Sequence, residues 1–298
     1  MDSPGFRGGD MTLIRNILFP VDFSASCLGM APYVKRVAAL FDAKVSLVHV
    51  VDLASHNGFE LYMRPAFEIS EDHLRIGRDR LDSFLGAEFP IAQSPRILVS
   101  GDAATQIAQA AKNGGFDLIA MPTHASFFRR MLLGSTTAKV LNDADCPVVT
   151  SRHTETIAPR PLEHREWLCA IDLSPDSERV LRFAKDMAMA AHGKLTLLHA
   201  VQAGDPDLPI HLELEEHAHS SETQRASRRI AELQRIVGSD FPVRIAVGSV
   251  KAALLEAARQ SEADALIIGR SPNAGADGRM RDLTYSVVRD SPFPVVSV

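Results

Sequence analysis

The chain has 298 residues, of which 46% are hydrophobic and 23% charged, which is typical of a globular protein with one large domain or two ordinary ones. A net charge of -5 excludes the basic footprint of a protein that binds nucleic acid or an anionic membrane surface. Three cysteines without metal-ligand spacing favour a reducing compartment.

Residues 1–12 are polar and Gly-rich, unlike a signal or transit peptide, and no apolar run reaches the length of a membrane span. We therefore expect a cytoplasmic protein that has no nucleic-acid or membrane partner.

Two copies of one pattern follow each other along the chain. The stretch ILFPVDFS at residues 17–24 returns as WLCAIDLS at residues 167–174, so that Asp172 lies 150 positions after Asp22. Later matches, such as Gly248 with Gly101 and Pro294 with Pro147, keep a constant offset of 147. Two constant offsets over so much of the chain indicate a tandem duplication.

The duplication predicts how the chain divides into units. Residues 13–151 form the first unit and residues 166–298 the second, after a flexible tail at residues 1–12. The segment 152–165 contains two prolines and many polar residues, as linkers do.

Within each copy, apolar strands alternate with amphipathic helices. In the first copy we predict strands at 16–21, 44–51, 96–100, 117–121 and 147–150, and helices that follow Ser24, end near Glu88, cover 102–112 and cover 136–142. Such alternation is typical of a parallel sheet with helices on both faces. The predicted fold class is therefore α/β, with two tandem five-stranded parallel-sheet sandwiches.

A ligand of such a sheet lies at the carboxyl ends of the strands, where the strand order reverses. The first strand ends at Pro20, Val21 and Asp22, and Asp22 is placed to accept hydrogen bonds from ribose hydroxyls or an adenine amine. Its alternative role is to cap the next helix together with Ser24. Val50 ends the second strand and Met121 lies at the end of the fourth, so these two side chains either sandwich a purine ring or belong to the core.

The segment after the fourth strand carries the features of a phosphate site. Pro122 and Thr123 end that strand, and Gly134, Ser135 and Thr136 lie where the next helix begins. A helix start offers free N–H groups, a glycine allows close approach of the backbone, and hydroxyls add donors. The alternative is that Ser135 or Thr136 simply caps the helix.

Together these motifs resemble the universal stress protein family over nearly all of both copies. The resemblance rests on ILFPVDFS (17–24), LVHV (47–50), DLIAMPTH (117–124) and LLGSTTAKVL (132–141). It implies a Rossmann-like fold of the adenine nucleotide alpha hydrolase type and dimerisation through the last strand. In one subgroup it also implies ATP binding through a motif of Gly, two residues, Gly, nine residues, Gly, then Ser or Thr.

The chain departs from that motif at several positions. Pro122 and Ala125 replace the first two glycines, and eight residues instead of nine separate Ala125 from Gly134, while His124 would lie beside the phosphates or serve only as a loop residue. In the second copy Arg281 and Asp282 stand where the first has Gly134 and Ser135. We therefore expect ATP or ADP, which Mg²⁺ can accompany, in the first copy and a degenerate site in the second.

Other chemistry finds little support in the sequence. Glu213 with His217 and Glu215 with His219 are spaced to bind a divalent metal on a helix, but a solvated helix face is the commoner meaning of such a segment, His211 to His219. No general base has an evident partner, so any ATP hydrolysis is expected to be slow and incidental. The alternative function is an interaction module without nucleotide, and the final strands pair either in a homodimer or within one chain.

Overall fold

The computed structural model describes residues 14–52, 66–123, 133–151, 165–201, 212–270 and 279–298. Within these ranges the side chains of residues 66–69, 212–220 and 279–282 are left undescribed.

Strands and helices alternate through both halves, as the sequence pattern predicts. The first half contains β1 (Asn16–Pro20), α1 (Ala25–Phe41), β2 (Lys44–Val51), α2 (Ala66–Ser83), β3 (Arg96–Ser100), α3 (Ala103–Asn113), β4 (Leu118–Pro122), α4 (Ser135–Asp143) and β5 (Val148–Ser151). The second half contains β6 (Glu166–Ala170), α5 (Ser177–Ala190), β7 (Lys194–Val201), α6 (Leu212–Val237), β8 (Val243–Val247), α7 (Val250–Gln260), β9 (Ala265–Ile268), α8 (Arg279–Asp290) and β10 (Val295–Ser297). The predicted α/β class is confirmed.

The ten described strands form one continuous sheet in the order β3-β2-β1-β4-β5-β10-β9-β6-β7-β8. Within each half the neighbouring strands are parallel, whereas β5 and β10 pair antiparallel across the junction. The final strands therefore pair with each other within the chain. A homodimer through these strands is excluded in this arrangement, because β4 and β9 occupy their other edges.

The junction has local two-fold pseudosymmetry. Val149 lies opposite Val296, its own counterpart at the offset of 147, and Val148 lies opposite Ser297. This reciprocal register is the pattern of an isologous interface between two copies of one surface.

The hydrophobic core has two layers, one on each face of the sheet. Successive residues of β1 alternate between them, with Ile17 and Phe19 in one cluster and Leu18 in the other. Each cluster continues from the first half into the second, and Trp167 and Leu168 extend the two layers. Burial on both faces explains the near-continuous apolar runs of the strands.

One predicted boundary is wrong. Helix α2 ends at Ser83 instead of near Glu88, and Leu85 adopts a left-handed φ of 53°. The Arg96 guanidinium donates to the carbonyls of Leu81 and Phe84, at 3.1 and 3.2 Å, and so satisfies groups that a longer helix would have paired.

Candidate functional site

The strand order reverses between β1 and β4, which are neighbours in the first half of the sheet. β1 pairs with β2 on one side and with β4 on the other, and all three run parallel. The crevice that a doubly wound sheet forms at such a point lies beyond the carboxyl ends of these strands. Pro20 and Val21 lie there at the end of β1, and both are buried.

The start of α4 is fixed to the end of β4 by two hydrogen bonds. The Gly134 N–H donates to the Thr123 carbonyl at 2.9 Å, and the Thr137 hydroxyl donates to the Pro122 carbonyl at 3.1 Å. Met121, Pro122 and Thr123 are all buried, and Thr137 is only 3% exposed. The structure therefore brings Pro122 and Thr123 together with the helix start that follows them 11 residues later in the chain.

The alternative that Ser135 or Thr136 caps α4 is wrong. Gly134 occupies the N-cap position, with φ of -58° and ψ of 138°, and makes no side-chain cap hydrogen bond. Ser135 and Thr136 are instead the first two residues of the helix, and Ser135 is exposed. The first N–H groups of a helix lack intrahelical partners, and at this turn the N-cap residue itself supplies no side-chain acceptor for them.

The Asp22 carboxylate orders the start of α1 together with Ser24, which is one of the two roles expected for it. Its Oδ1 accepts from the Ser24 N–H and from the Cys27 thiol, each at 3.0 Å. Ser24 in turn caps α1, since its hydroxyl accepts from the Cys27 N–H. Asp22 itself is exposed. The Oδ1 atom of this exposed carboxylate thus orders the turn that precedes α1.

His49 supports this turn from the neighbouring strand, a role that the sequence analysis missed. Its Nδ1 lies 2.8 Å from the Val21 carbonyl, which is the carbonyl that precedes Asp22. Burial lowers the pKa of His49, and the hydrogen bond to Val21 opposes that shift only in part. His199 makes the same contact with Ile171 at 2.7 Å in the second half. The recurrence of a histidine at one place in both copies was the available signal.

Val50 and Met121 share one apolar layer of the sheet. Met121 is 5% exposed and belongs to the buried cluster, whereas Val50 is half-buried at its rim. Both side chains pack against the same cluster near the ends of their strands. This position is compatible with both roles expected for them, core packing and contact with a flat ring.

Two predicted site residues, His124 and Ala125, lie outside the described residues. The side chains of His211 to His219, the segment for which a metal site was the less common alternative, are likewise not described. Among the side chains that are described, no group of three or more His, Cys, Asp or Glu residues is placed to hold a metal ion.

The second half repeats the aspartate turn but not the helix start. Asp172 Oδ1 accepts from the Ser174 N–H at 2.9 Å and from the Ser177 hydroxyl at 2.8 Å, as Asp22 does with its own neighbours. Helix α8, however, begins at Arg279, two residues before the position that matches Gly134. The backbone geometry of the α4 start is therefore not reproduced at the corresponding residues.

None of the helices in the described part of the chain combines the length and the apolar composition needed to cross a lipid bilayer.

Similar proteins were found among curated sequences. Universal stress protein A homolog 2 of Coxiella burnetii is 30% identical over 118 residues, which is 40% of this chain and 80% of that protein. A universal stress protein of Methanocaldococcus jannaschii is 30% identical over 147 residues, covering 48% of this chain and 84% of the relative.

The whole chain also resembles solved structures. The crystal structure of a universal stress protein from Archaeoglobus fulgidus matches with a TM-score of 0.64 at 23% identity, and the match covers 97% of both chains. At that identity the likeness shows the fold alone. Residues 13–152 and residues 164–298 each match the universal stress protein family. The chain therefore belongs to the universal stress protein family and contains two tandem copies of its domain.

Proposed function

We propose that this protein is a stress-response protein that binds one adenine nucleotide, ATP or ADP, in its first unit and acts through conformation or partner binding. In this proposal the units are residues 13–151 and 166–298, joined by the linker 152–165. Hydrolysis is not needed for such a role, because binding alone shifts the balance between conformations.

The observation that carries the proposal is the uncapped start of α4. Gly134 leaves the first N–H groups of the helix without a side-chain cap, and two hydrogen bonds hold that turn against the end of β4. A phosphate fits such a turn, since it accepts from N–H groups and meets the positive end of the helix dipole. Ser135 and Thr136 add hydroxyl donors there.

The remaining site residues fit the other parts of an adenine nucleotide. The Asp22 Oδ2 would accept from ribose hydroxyls or from the adenine amine, while Val50 and Met121 would contact the ring. His124 and Ala125 remain part of the proposed loop over the ribose and phosphates. A Mg²⁺ ion, where present, would accompany the phosphates as a bound counterion.

The second unit is proposed to lack a nucleotide. Asp172 keeps its turn, but α8 begins at Arg279, and the sequence has Arg281 and Asp282 where the first unit has Gly134 and Ser135. A carboxylate in the first turn of the helix repels phosphate, because the two charges have the same sign. One nucleotide per chain is therefore expected.

One observation favours the alternative, an interaction module without nucleotide. Pro122 lacks an N–H, and its carbonyl already accepts from Thr137, so the motif's first glycine position offers a ligand neither a donor nor a free carbonyl. If this alternative is correct, the purified protein contains no nucleotide and shows no heat of binding with ATP.

The test is a matched pair of variants, titrated calorimetrically with ATP after the nucleotide content of the purified wild-type protein has been measured. Asp22→Asn keeps the acceptor for the Ser24 N–H but removes the charge, and loss of a hydrogen bond to a charged group costs about 1.5–3 kcal/mol, which is about a tenfold to hundredfold loss of affinity. Asp172→Asn makes the same change in the second unit and should leave affinity unchanged. Equal effects of the two variants, or two nucleotides per chain, would contradict the assignment to the first unit.

A further inference from the structure

Helix α4 begins at the candidate site, yet its remaining length is held by side chains of the second half. The Arg270 guanidinium donates from Nη1 to the Leu141 carbonyl at 2.9 Å and from Nη2 to the Cys146 carbonyl at 2.7 Å. The Tyr285 hydroxyl donates to the Ala138 carbonyl at 3.1 Å. Three hydrogen bonds from the second half thus reach one nine-residue helix and the turn after it.

Arg270 is the counterpart of Thr123, the residue that receives the start of α4 in the first half. The backbone shows the equivalence, because the Thr123 N–H donates to the Ser151 carbonyl and the Arg270 N–H donates to the Val298 carbonyl. Thr123 is 1% exposed, whereas the longer side chain of Arg270 reaches a helix of the other half. The residue that corresponds to Thr123 in the second half, Arg270, therefore forms hydrogen bonds with the first half.

The contact is electrostatically favourable for α4. Leu141 lies in the last turn of the helix, where carbonyls lack intrahelical partners, and a cation there complements the negative end of the dipole. Burial lowers the pKa of Arg270 to about 10, so its side chain remains charged at neutral pH. Its Nε has no partner in the described part of the chain, which leaves the two carbonyls as the hydrogen-bond partners of the guanidinium there.

Helix α4 is too short to be independent of this support. Nine residues span about 13 Å, and isolated helices of this length are not stable in water. Since a short helix forms and melts cooperatively, loss of its last turn is expected to loosen its first. A phosphate at the start and a guanidinium at the end would also complement the same dipole from opposite ends.

We propose that the second unit serves as a clasp for the phosphate-binding helix of the first, with Arg270 as the main positioning residue and Tyr285 as the second. This inference rests on the proposed function of the α4 start. Nucleotide affinity in the first unit then depends on a side chain of the second, and by linkage bound nucleotide strengthens the clasp by the same factor.

The experiment uses the full chain and four variants, at a temperature well below unfolding. Arg270→Gln removes the charge, and Arg270→Lys keeps the charge but cannot form both hydrogen bonds of the guanidinium. Tyr285→Phe removes only the hydroxyl. Arg244→Gln is the matched control, because Arg244 is exposed in the same half and its side chain donates to Gln260, away from α4. ATP affinity is measured by calorimetry, and amide hydrogen exchange of α4 is measured without ligand.

Arg270→Gln is expected to weaken ATP binding by about fivefold or more, which is the lower range of coupling between sites, with Arg270→Lys intermediate and Arg244→Gln unchanged. A merely structural role would lower the unfolding temperature of Arg270→Gln and leave its ATP affinity equal to the wild type. That result overturns the inference.

If the wild-type chain binds no nucleotide, the proposed function fails, and amide exchange decides about the clasp separately. The Ala138 N–H donates to the Gly134 carbonyl and so reports on the first turn. The Ala144 N–H donates to the Val140 carbonyl and so reports on the last turn. Faster exchange at Ala138 in Arg270→Gln supports the clasp, whereas faster exchange confined to Ala144 overturns it.

Discussion

Replacing Gly134 by aspartate would separate the stability of α4 from its ability to bind phosphate. Gly134 has a negative φ of -58° at the N-cap, so a side chain fits the backbone conformation. Aspartate is among the best N-cap residues, and its charge also complements the positive end of the helix. The same charge would lie against the proposed phosphate. The variant should therefore be more stable than the wild type and bind ATP less.

The two effects have different magnitudes. An aspartate in place of glycine adds a few tenths of a kcal/mol as a cap, and the dipole term brings the gain to about 0.5–1 kcal/mol. For a chain of this size that raises the unfolding temperature by about 1–3 °C. Two like charges about 4 Å apart near a protein surface repel by about 4 kcal/mol, which corresponds to about a thousandfold weaker binding of ATP.

Differential scanning calorimetry measures the first effect and isothermal titration with ATP the second. Gly134→Asn is the matched control, because it adds a similar cap without the charge and should lose far less affinity. Gly134→Asp that binds ATP as the wild type does would refute the placement of phosphate at this turn. A lower unfolding temperature would refute the account of Gly134 as an open N-cap.

Two further predictions concern the second half. Ser297 is fully buried in β10 and its hydroxyl has no partner among the described residues, so Ser297→Ala should stabilise the fold by about 1 kcal/mol in urea titrations. Hydrogen bonding from Arg289, aided by Lys251, holds the pKa of Asp290 well below its ordinary value. Because the folded-state pKa is lowered, the stabilisation is present at neutral pH and is lost as pH falls below about 4. Asp290→Asn should thus cost about 0.5–1 kcal/mol at pH 7 and progressively less in acid.

The duplication supplies controls for both. Thr150 matches Ser297, but its hydroxyl donates to the Val295 carbonyl at 3.4 Å, so Thr150→Val should not stabilise the fold. Asp143 matches Asp290 and is exposed at the end of α4, so Asp143→Asn should change stability little at any pH. If each pair of matched variants behaved alike, the local contacts described here would not be the cause.

The alternation of strands and helices could be predicted because it depends on local patterns. Apolar runs such as Ile17–Phe19 are buried on both faces of the sheet, and Ser24 caps α1 as its position before the helix indicates. The end of α2 could not be predicted. It depends on Arg96, a residue 13 positions beyond Ser83, whose guanidinium reaches back to the last carbonyls of the helix.

The candidate site was predictable only in part, for a similar reason. The sequence places Gly134 at a helix start, but whether Gly134 or Ser135 is the cap depends on how the turn attaches to Thr123. The support from His49 and Arg270 comes from other strands, and Arg270 acts across 124 positions of chain on Cys146. No periodicity of a single segment carries such information.

The antiparallel pairing of β5 with β10 has a consequence for how the two halves can diverge. In a dimer of identical chains every substitution at an isologous interface occurs twice, and both occurrences must be tolerated together. Here Arg270 faces α4 from one side, while the matching position on the other side is Thr123. Because the two halves are separate stretches of one chain, a substitution on one side of the junction occurs once. Each of the two equivalent surfaces can therefore change without the other.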